Sequence, residues 1–152
     1  MNKKSKWTCV IIVIAVLILC PLLLQVVPYG RNHTNPPVVS EPKWDSPQTR
    51  ALAVRACFDC HSNETKWPWY TNVAPFSWLT QSDVDSGRRR LNFSDWGAPT
   101  GGEGRNPSEI VRTIQRGSMP PWFYLPPHPD AQLTQAEKDQ LIQGLQTTLS
   151  TP

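Results

Sequence analysis

Hydrophobic positions along this chain form one unbroken block followed by short, spaced stripes. From Trp7 to Val27 no charged residue occurs, and Lys3, Lys4 and Lys6 precede the block. About 20 apolar residues suffice to cross a bilayer's hydrocarbon core, so residues 1–28 are expected to be an N-terminal transmembrane anchor, with Pro21 and Gln25 weakening its end. Lysines ahead of the block favour a cytoplasmic N-terminus, which places the rest of the chain on the far side. A cleaved signal peptide is the rival reading, but the block is long for one and lacks small residues at a cleavage position. Cys20 follows Leu19, which is larger than the residue lipoprotein processing prefers. A single-pass, uncleaved anchor is expected, with Cys9 and Cys20 as small apolar side chains.

Residues 29–46 contain Pro36-Pro37 and Pro42 among polar residues, without helical or strand periodicity, and read as an extended tether. From residue 47 to 152 the stripes have helical spacing. Ser46-Pro47 is a helix start, serine capping and proline tolerated at the first helical position. Leu52, Ala56 and Cys60 then fall on one stripe, with Ala53 and Cys57 beside it. Residues 62–76 read as a loop around Trp67-Pro68-Trp69-Tyr70. A second helix is predicted from about Phe76 to Leu91, with Trp78, Leu79 and Leu91 facing inward. After a flexible Gly97–Gly104 stretch, Asn106-Pro107-Ser108-Glu109 opens a short helix with Ile110, Val111 and Ile114 on its apolar stripe, stopped by Gly117. Thr134-x-x-Glu137 is a capping box for a last helix carrying Leu141, Ile142, Leu145 and Leu149, expected to pack on the first. The fold class is therefore all-α, about four helices behind a transmembrane helix.

Composition narrows the picture. Of 15 Lys and Arg, three precede the apolar block, so the remaining 12 balance the 12 acidic residues and the exported part is neutral. No basic patch argues for nucleic acid. Sixteen prolines and eight glycines imply much loop, and a bulky cofactor would help to supply a core.

Candidate chemistry centres on Cys57-Phe58-Asp59-Cys60-His61. Cys-x-x-Cys-His is the attachment signature of c-type haem. Two thiols add across the porphyrin's two vinyl groups and an imidazole must reach the iron, so the three side chains have to share a face, as positions i, i+3 and i+4 do on a helix. Cys57 and Cys60 are the expected covalent attachment points of one haem c, and His61 the proximal iron ligand. A thioredoxin-like dithiol belongs beside an alternating strand–helix pattern, which is absent. A zinc site needs two further ligands, and outside the apolar block only His33, His128 and carboxylates could supply them.

Met119-Pro120-Pro121-Trp122 is the second feature. A thioether is the usual sixth ligand of electron-transfer haems and raises the potential, Met119 is the only methionine after Met1, and the prolines stiffen its loop. Trp122, Phe123 and Tyr124 are expected to shield that side, and the Trp67–Tyr70 aromatics to pack on the porphyrin or fill the core. His128 is the competing sixth ligand, and His/His ligation would lower the potential. Arg88-Arg89-Arg90 is either a propionate partner or, as the preferred reading, a solvated cationic helix end.

The run Cys57 to Thr65 with Trp67-Pro68-Trp69-Tyr70, Leu91-Asn92-Phe93-Ser94, Met119-Pro120-Pro121-Trp122 and the ending from His128-Pro129 resembles the bacterial haem-binding domain family. Its members are short, membrane-anchored, cytochrome c-like chains, and the element order is similar to class I cytochrome c. The resemblance implies covalent haem at Cys57 and Cys60, iron on His61, and a role for Met119 in the Met-Pro-Pro element. The expectation is a membrane-anchored monohaem cytochrome in the cytoplasmic membrane, its domain 47–152 in the periplasm, passing electrons between redox partner proteins. It is a carrier rather than an enzyme on this reading. The alternative is a haem-based ligand sensor or small peroxidase with an open or labile sixth site.

Overall fold

The computed structural model describes residues 3–97 and 106–150; beyond Gly97, the predicted Gly97–Gly104 link lies outside the described residues. These residues are all-helical, with no strand among them. Helix α1 spans Lys3–Leu24, α2 Pro47–Ala56, α3 Phe58–His61, α4 Phe76–Arg90, α5 Pro107–Gln115 and α6 Gln135–Ser150, with short 3-10 turns at Trp69–Asn72 and Pro129–Ala131. They divide into two compact units. One comprises Met1–His33 with Trp67–Ser82, the other Thr34–Lys66 with Asp83–Pro152.

In the first unit, Ser5–Leu24 of α1 is long and apolar enough to cross a membrane, and none of it is buried against the rest of the protein. His33 stacks on Trp67, ring centroids 4.7 Å apart at 16°, and its Nε2 lies 3.1 Å from the Thr71 carbonyl. Trp67 therefore packs on His33, while Trp69 is 79% exposed. Leu79, predicted inward, is 60% exposed.

The second unit holds the buried core. Helix α2 starts as its sequence dictates, the Ser46 hydroxyl accepting from the Thr49 N–H at 3.2 Å. Its buried stripe of Thr49, Leu52, Ala53 and Ala56 packs on α6, which offers Leu141, Gly144, Leu145 and Thr148. Contact at Gly144 is close enough that a Cβ there would lie 2.0 Å from Thr49 Oγ1. Helix α5 packs on α6 as well, with Val111 and Ile114 buried and Gly117 at φ 67° ending it. Val84 of α4, not singled out by the helical stripe, is almost fully buried. Beneath the helices lies an aromatic cluster. Phe93 stacks with Phe58 at 5.6 Å and with Trp96 at 6.2 Å, and Trp44 packs on Phe93 at 5.2 Å.

Trp44 belongs to the segment read as a tether, so the part of it from Val39 onward is not a spacer. Val39 N–H and Ser40 N–H both donate to the Ser94 carbonyl, and Trp96 N–H donates to Ser40. Lack of periodicity hid this, because a segment that pairs irregularly and inserts one large ring leaves no repeating pattern to read.

The α6 capping box is complete. Thr134 N–H donates to Glu137 Oε2 at 2.8 Å and Glu137 N–H to Thr134 Oγ1 at 3.3 Å, while Arg55 reaches Glu137 Oε1 at 2.6 Å. The Thr134 N–H and Arg55 together hold the Glu137 carboxyl at about 2, below its ordinary 4.5. A depressed folded-state pKa means stability that is present above the unfolded value and lost as pH falls towards the folded one. Glu137→Gln is therefore expected to lower the melting temperature at neutral pH, with the gap to wild type closing between about pH 4.5 and about pH 2. A gap independent of pH over that range would refute the assignment.

Candidate functional site

Helix α2 does not run straight through the cysteines. Cys57 caps it with φ −129° and ψ −35°, its N–H still bonded to the Ala53 carbonyl, and the short α3 restarts at Phe58. The Cys57 carbonyl accepts from Cys60 N–H at 3.2 Å and from His61 N–H at 2.8 Å, which keeps Cys57, Cys60 and His61 within one helical turn. The uninterrupted stripe predicted from the sequence is thus corrected to a break at Cys57, with the motif as a turn of its own.

Both cysteines are free thiols and half-buried. Burial pushes each thiol up to about 12, Asp83 and Asp59 adding to the effect at Cys60. A catalytic dithiol needs the opposite, a thiolate stabilised near neutral pH. Among the described residues no group of three or more His, Cys, Asp and Glu comes together in a metal-binding cluster.

His61 is held by the end of α4. Its Nδ1 lies 3.0 Å from the Leu91 carbonyl, and since a carbonyl only accepts, Nδ1 carries the proton. Burial lowers the imidazole's pKa, against the Leu91 and Gly87 carbonyls, which act to raise it. A neutral ring with Nδ1–H committed to a carbonyl has its lone pair on Nε2, the arrangement found when histidine binds a metal. This donor chemistry fits a haem iron, with the two thiols beside it available for attachment.

The haem-binding domain model matches residues 19–147, most of the 152-residue chain. The chain belongs to the haem-binding domain family. No curated protein and no solved structure matches it. Haem binding is thus the established property of this haem-binding domain, and the structure specifies what surrounds its Cys-x-x-Cys-His turn.

That surround comes from two short polar runs whose role was not legible beforehand. Asn92 Nδ2 donates to Asn63 Oδ1 at 3.0 Å, Ser94 N–H to Asn92 Oδ1 at 3.0 Å, and Asn63 N–H to Ser94 Oγ at 3.0 Å. The Phe93 N–H closes on the His61 carbonyl at 2.8 Å. Ser62-Asn63 and Asn92-Phe93-Ser94 are therefore mutual partners, fixing the chain after His61 against the chain after Leu91. Both runs stood among the motifs of the family resemblance, and their local density of Asn and Ser, which bond backbone readily outside regular structure, was the physical signal.

Arg88 is neither a solvated helix end nor a group awaiting a partner. Its guanidinium donates to Ser62 O at 2.8 Å, Thr34 O at 3.0 Å, Asn35 Oδ1 at 3.0 Å and Thr65 Oγ1 at 3.0 Å. The fork of donors that would suit a propionate instead clasps the segments before and after the motif. Arg89 and Arg90 are exposed.

Gly87, one helical turn before Leu91, passes against the motif itself. A Cβ there would lie 2.3 Å from the Cys60 carbonyl oxygen and 3.0 Å from Cys60 Cβ. Backbone cannot swing aside as a side chain can, so Gly87→Ala is expected to destabilise the protein by about 1–3 kcal/mol and to lower haem occupancy at equal expression. A urea midpoint unchanged by the substitution would contradict this contact.

The loop of Met119 reaches the motif through Tyr124, whose hydroxyl donates to Asp59 Oδ2 at 2.6 Å. Met119 itself is 39% exposed. Trp122 and Phe123, expected to shield this side, are exposed in the protein chain, and only Tyr124 is half-buried. His128 stacks on Tyr124 at 3.9 Å and its Nδ1 donates to the Tyr124 carbonyl at 2.9 Å, so both sixth-ligand candidates sit on the one loop that Asp59 restrains. A recess of about 480 Å³ lies elsewhere, between α5 and α6, lined by Ile114, Gly117, Lys138, Ile142 and Gln146 among others; none of Cys57, Cys60, His61 or Met119 lines it.

Proposed function

We propose that this haem-binding domain is a membrane-anchored monohaem c-type cytochrome transferring electrons on the periplasmic side of the bacterial cytoplasmic membrane. The observation that carries the reading is the Nδ1–H of His61 held by Leu91, which leaves Nε2 as the ligating atom. Cys57 and Cys60 would attach the cofactor, and His61 and Met119 would hold its iron. Bound haem supplies a one-electron iron couple; the protein's part is to hold it, fix the imidazole tautomer and limit water. Helix α1 keeps the domain at the membrane, and its partners are other redox proteins rather than small substrates, so the chain acts as a carrier and not an enzyme.

Visible spectra test this. Reduced protein is expected to give sharp bands, and oxidised protein a sulfur-to-iron charge-transfer band that Met119→Ala abolishes and His128→Ala leaves intact. The reverse pattern would transfer the ligand role to His128. Exposure of Met119 favours one second reading, a ligand sensor or small peroxidase with a labile sixth site. Rapid carbon monoxide binding by the reduced wild type would select that reading; a six-coordinate carrier resists it.

A further inference from the structure

The first unit carries apolar side chains that its own packing leaves uncovered. Trp69, Val73, Phe76 and Leu79 are exposed, a grouping that monomeric soluble surfaces seldom show. Trp69, Phe76 and Leu79 are linked through Tyr70 and the turn of α4, and Val73 lies between Trp69 and Phe76 in the chain. Trp69 meets Tyr70 edge-on at 6.1 Å, Tyr70 meets Phe76 at 6.4 Å, and Leu79 follows Phe76 on the same face of α4. From Trp67 to Ser82 the sequence contains no Asp, Glu, Lys or Arg, so contact with a low-dielectric phase would strip water from no charge.

This segment is fastened to the exit of α1. Gln25, next after Leu24, donates through Nε2 to the Ala74 carbonyl at 3.0 Å and accepts the Ala74 N–H at Oε1, also at 3.0 Å. Its Nε2 also meets the Pro21 carbonyl at 3.0 Å, and Arg31 closes over the Gln25 carbonyl and Oε1 at 2.8 and 2.9 Å. The amide of Gln25 thereby pins the loop between Trp69 and Phe76 at the level where the apolar helix stops. Val26, Val27 and Tyr29, exposed as well, continue the same level. In a bilayer this is the headgroup–acyl boundary, where Trp and Tyr rings concentrate and amphipathic segments lie flat.

We propose that Trp69, Val73, Phe76 and Leu79 form a second membrane contact, an interfacial foot set in the same leaflet through which α1 emerges. The inference rests on α1 spanning the membrane. It assigns the foot to lipid, and it makes the first unit a two-point anchor rather than a single swivel.

Full-length holoprotein in phosphatidylethanolamine–phosphatidylglycerol liposomes, doped with a phospholipid bearing a diazirine near the top of one acyl chain, tests it. After irradiation, lipid adducts mapped by mass spectrometry are expected on residues 67–80 as well as on 5–24. The triple variant Trp69→Ser/Phe76→Ser/Leu79→Ser should lose the 67–80 adducts several-fold, keep those on 5–24 and keep the wild-type haem spectrum. Adducts on 5–24 alone overturn the foot while leaving the span intact. Absence of both, with the protein released by carbonate washing, overturns the span. If the porphyrin covers the patch instead, residues 67–80 gain no adducts and the triple variant shifts the haem spectrum, which also overturns the proposal.

Discussion

Cells competent in c-type haem attachment are expected to yield a haem-staining band at the chain's 17.2 kDa on a denaturing gel, and the Cys57→Ala/Cys60→Ala variant no such band. Only thioether bonds survive denaturation, so the readout is all-or-none where a spectrum would be graded. Both sulfurs are unpaired thiols, kept uncharged by burial, and the Cys57 carbonyl holds Cys60 and His61 within a single turn by two backbone hydrogen bonds. Each single variant should retain one bond and weaker staining. Because His61 is positioned independently through Leu91, the double variant should still bind haem reversibly, with a Soret band removed by acid–butanone extraction. An unstained wild type would end the covalent reading and leave haem held through His61. A stained double variant would mean attachment elsewhere in the chain.

Those elements that announce themselves by period or cap were legible in the sequence. Ser46-Pro47, Asn106-Pro107 and Thr134-x-x-Glu137 each open the helix predicted for them, since a cap is a local bond between neighbours and needs no tertiary information. The Cys-x-x-Cys-His turn was equally local. What escaped was long-range. Arg88 gave no sign that four of its donors would be divided among Ser62, Thr34, Asn35 and Thr65, because a helix-terminal arginine is satisfied by water just as well. Leu79 misled for the converse reason: an apolar residue at helical spacing is normally inward, whereas Leu79 is 60% exposed. Gly87 gave no sign in the sequence that Cys60 packs against it. In each case the missing information was which segment packs on which, and one sequence does not contain that as a pattern.

Phe93→Ala is expected to remove about 3–5 kcal/mol of stability, a large share of the roughly 5–15 kcal/mol that holds a domain folded. Phe93 is 1% exposed and its ring is shared by Trp44, Phe58 and Trp96, so truncation leaves a void bounded by three aromatic faces that cannot close over it. Phe58 lies inside the Cys-x-x-Cys-His turn, and the Phe93 N–H bonds the His61 carbonyl. The backbone bond survives truncation; the ring contact with Phe58 does not. Urea titration of detergent-solubilised protein should therefore place Phe93→Ala far below wild type and Phe93→Leu between them, at a cost of about 1–1.5 kcal/mol. If the stack also holds the haem turn in register, the urea midpoint and the haem absorbance transition should move down together. Loss of haem absorbance well before loss of helicity would instead make Phe93 a local support for the turn, with the fold resting on the α2–α6 contact.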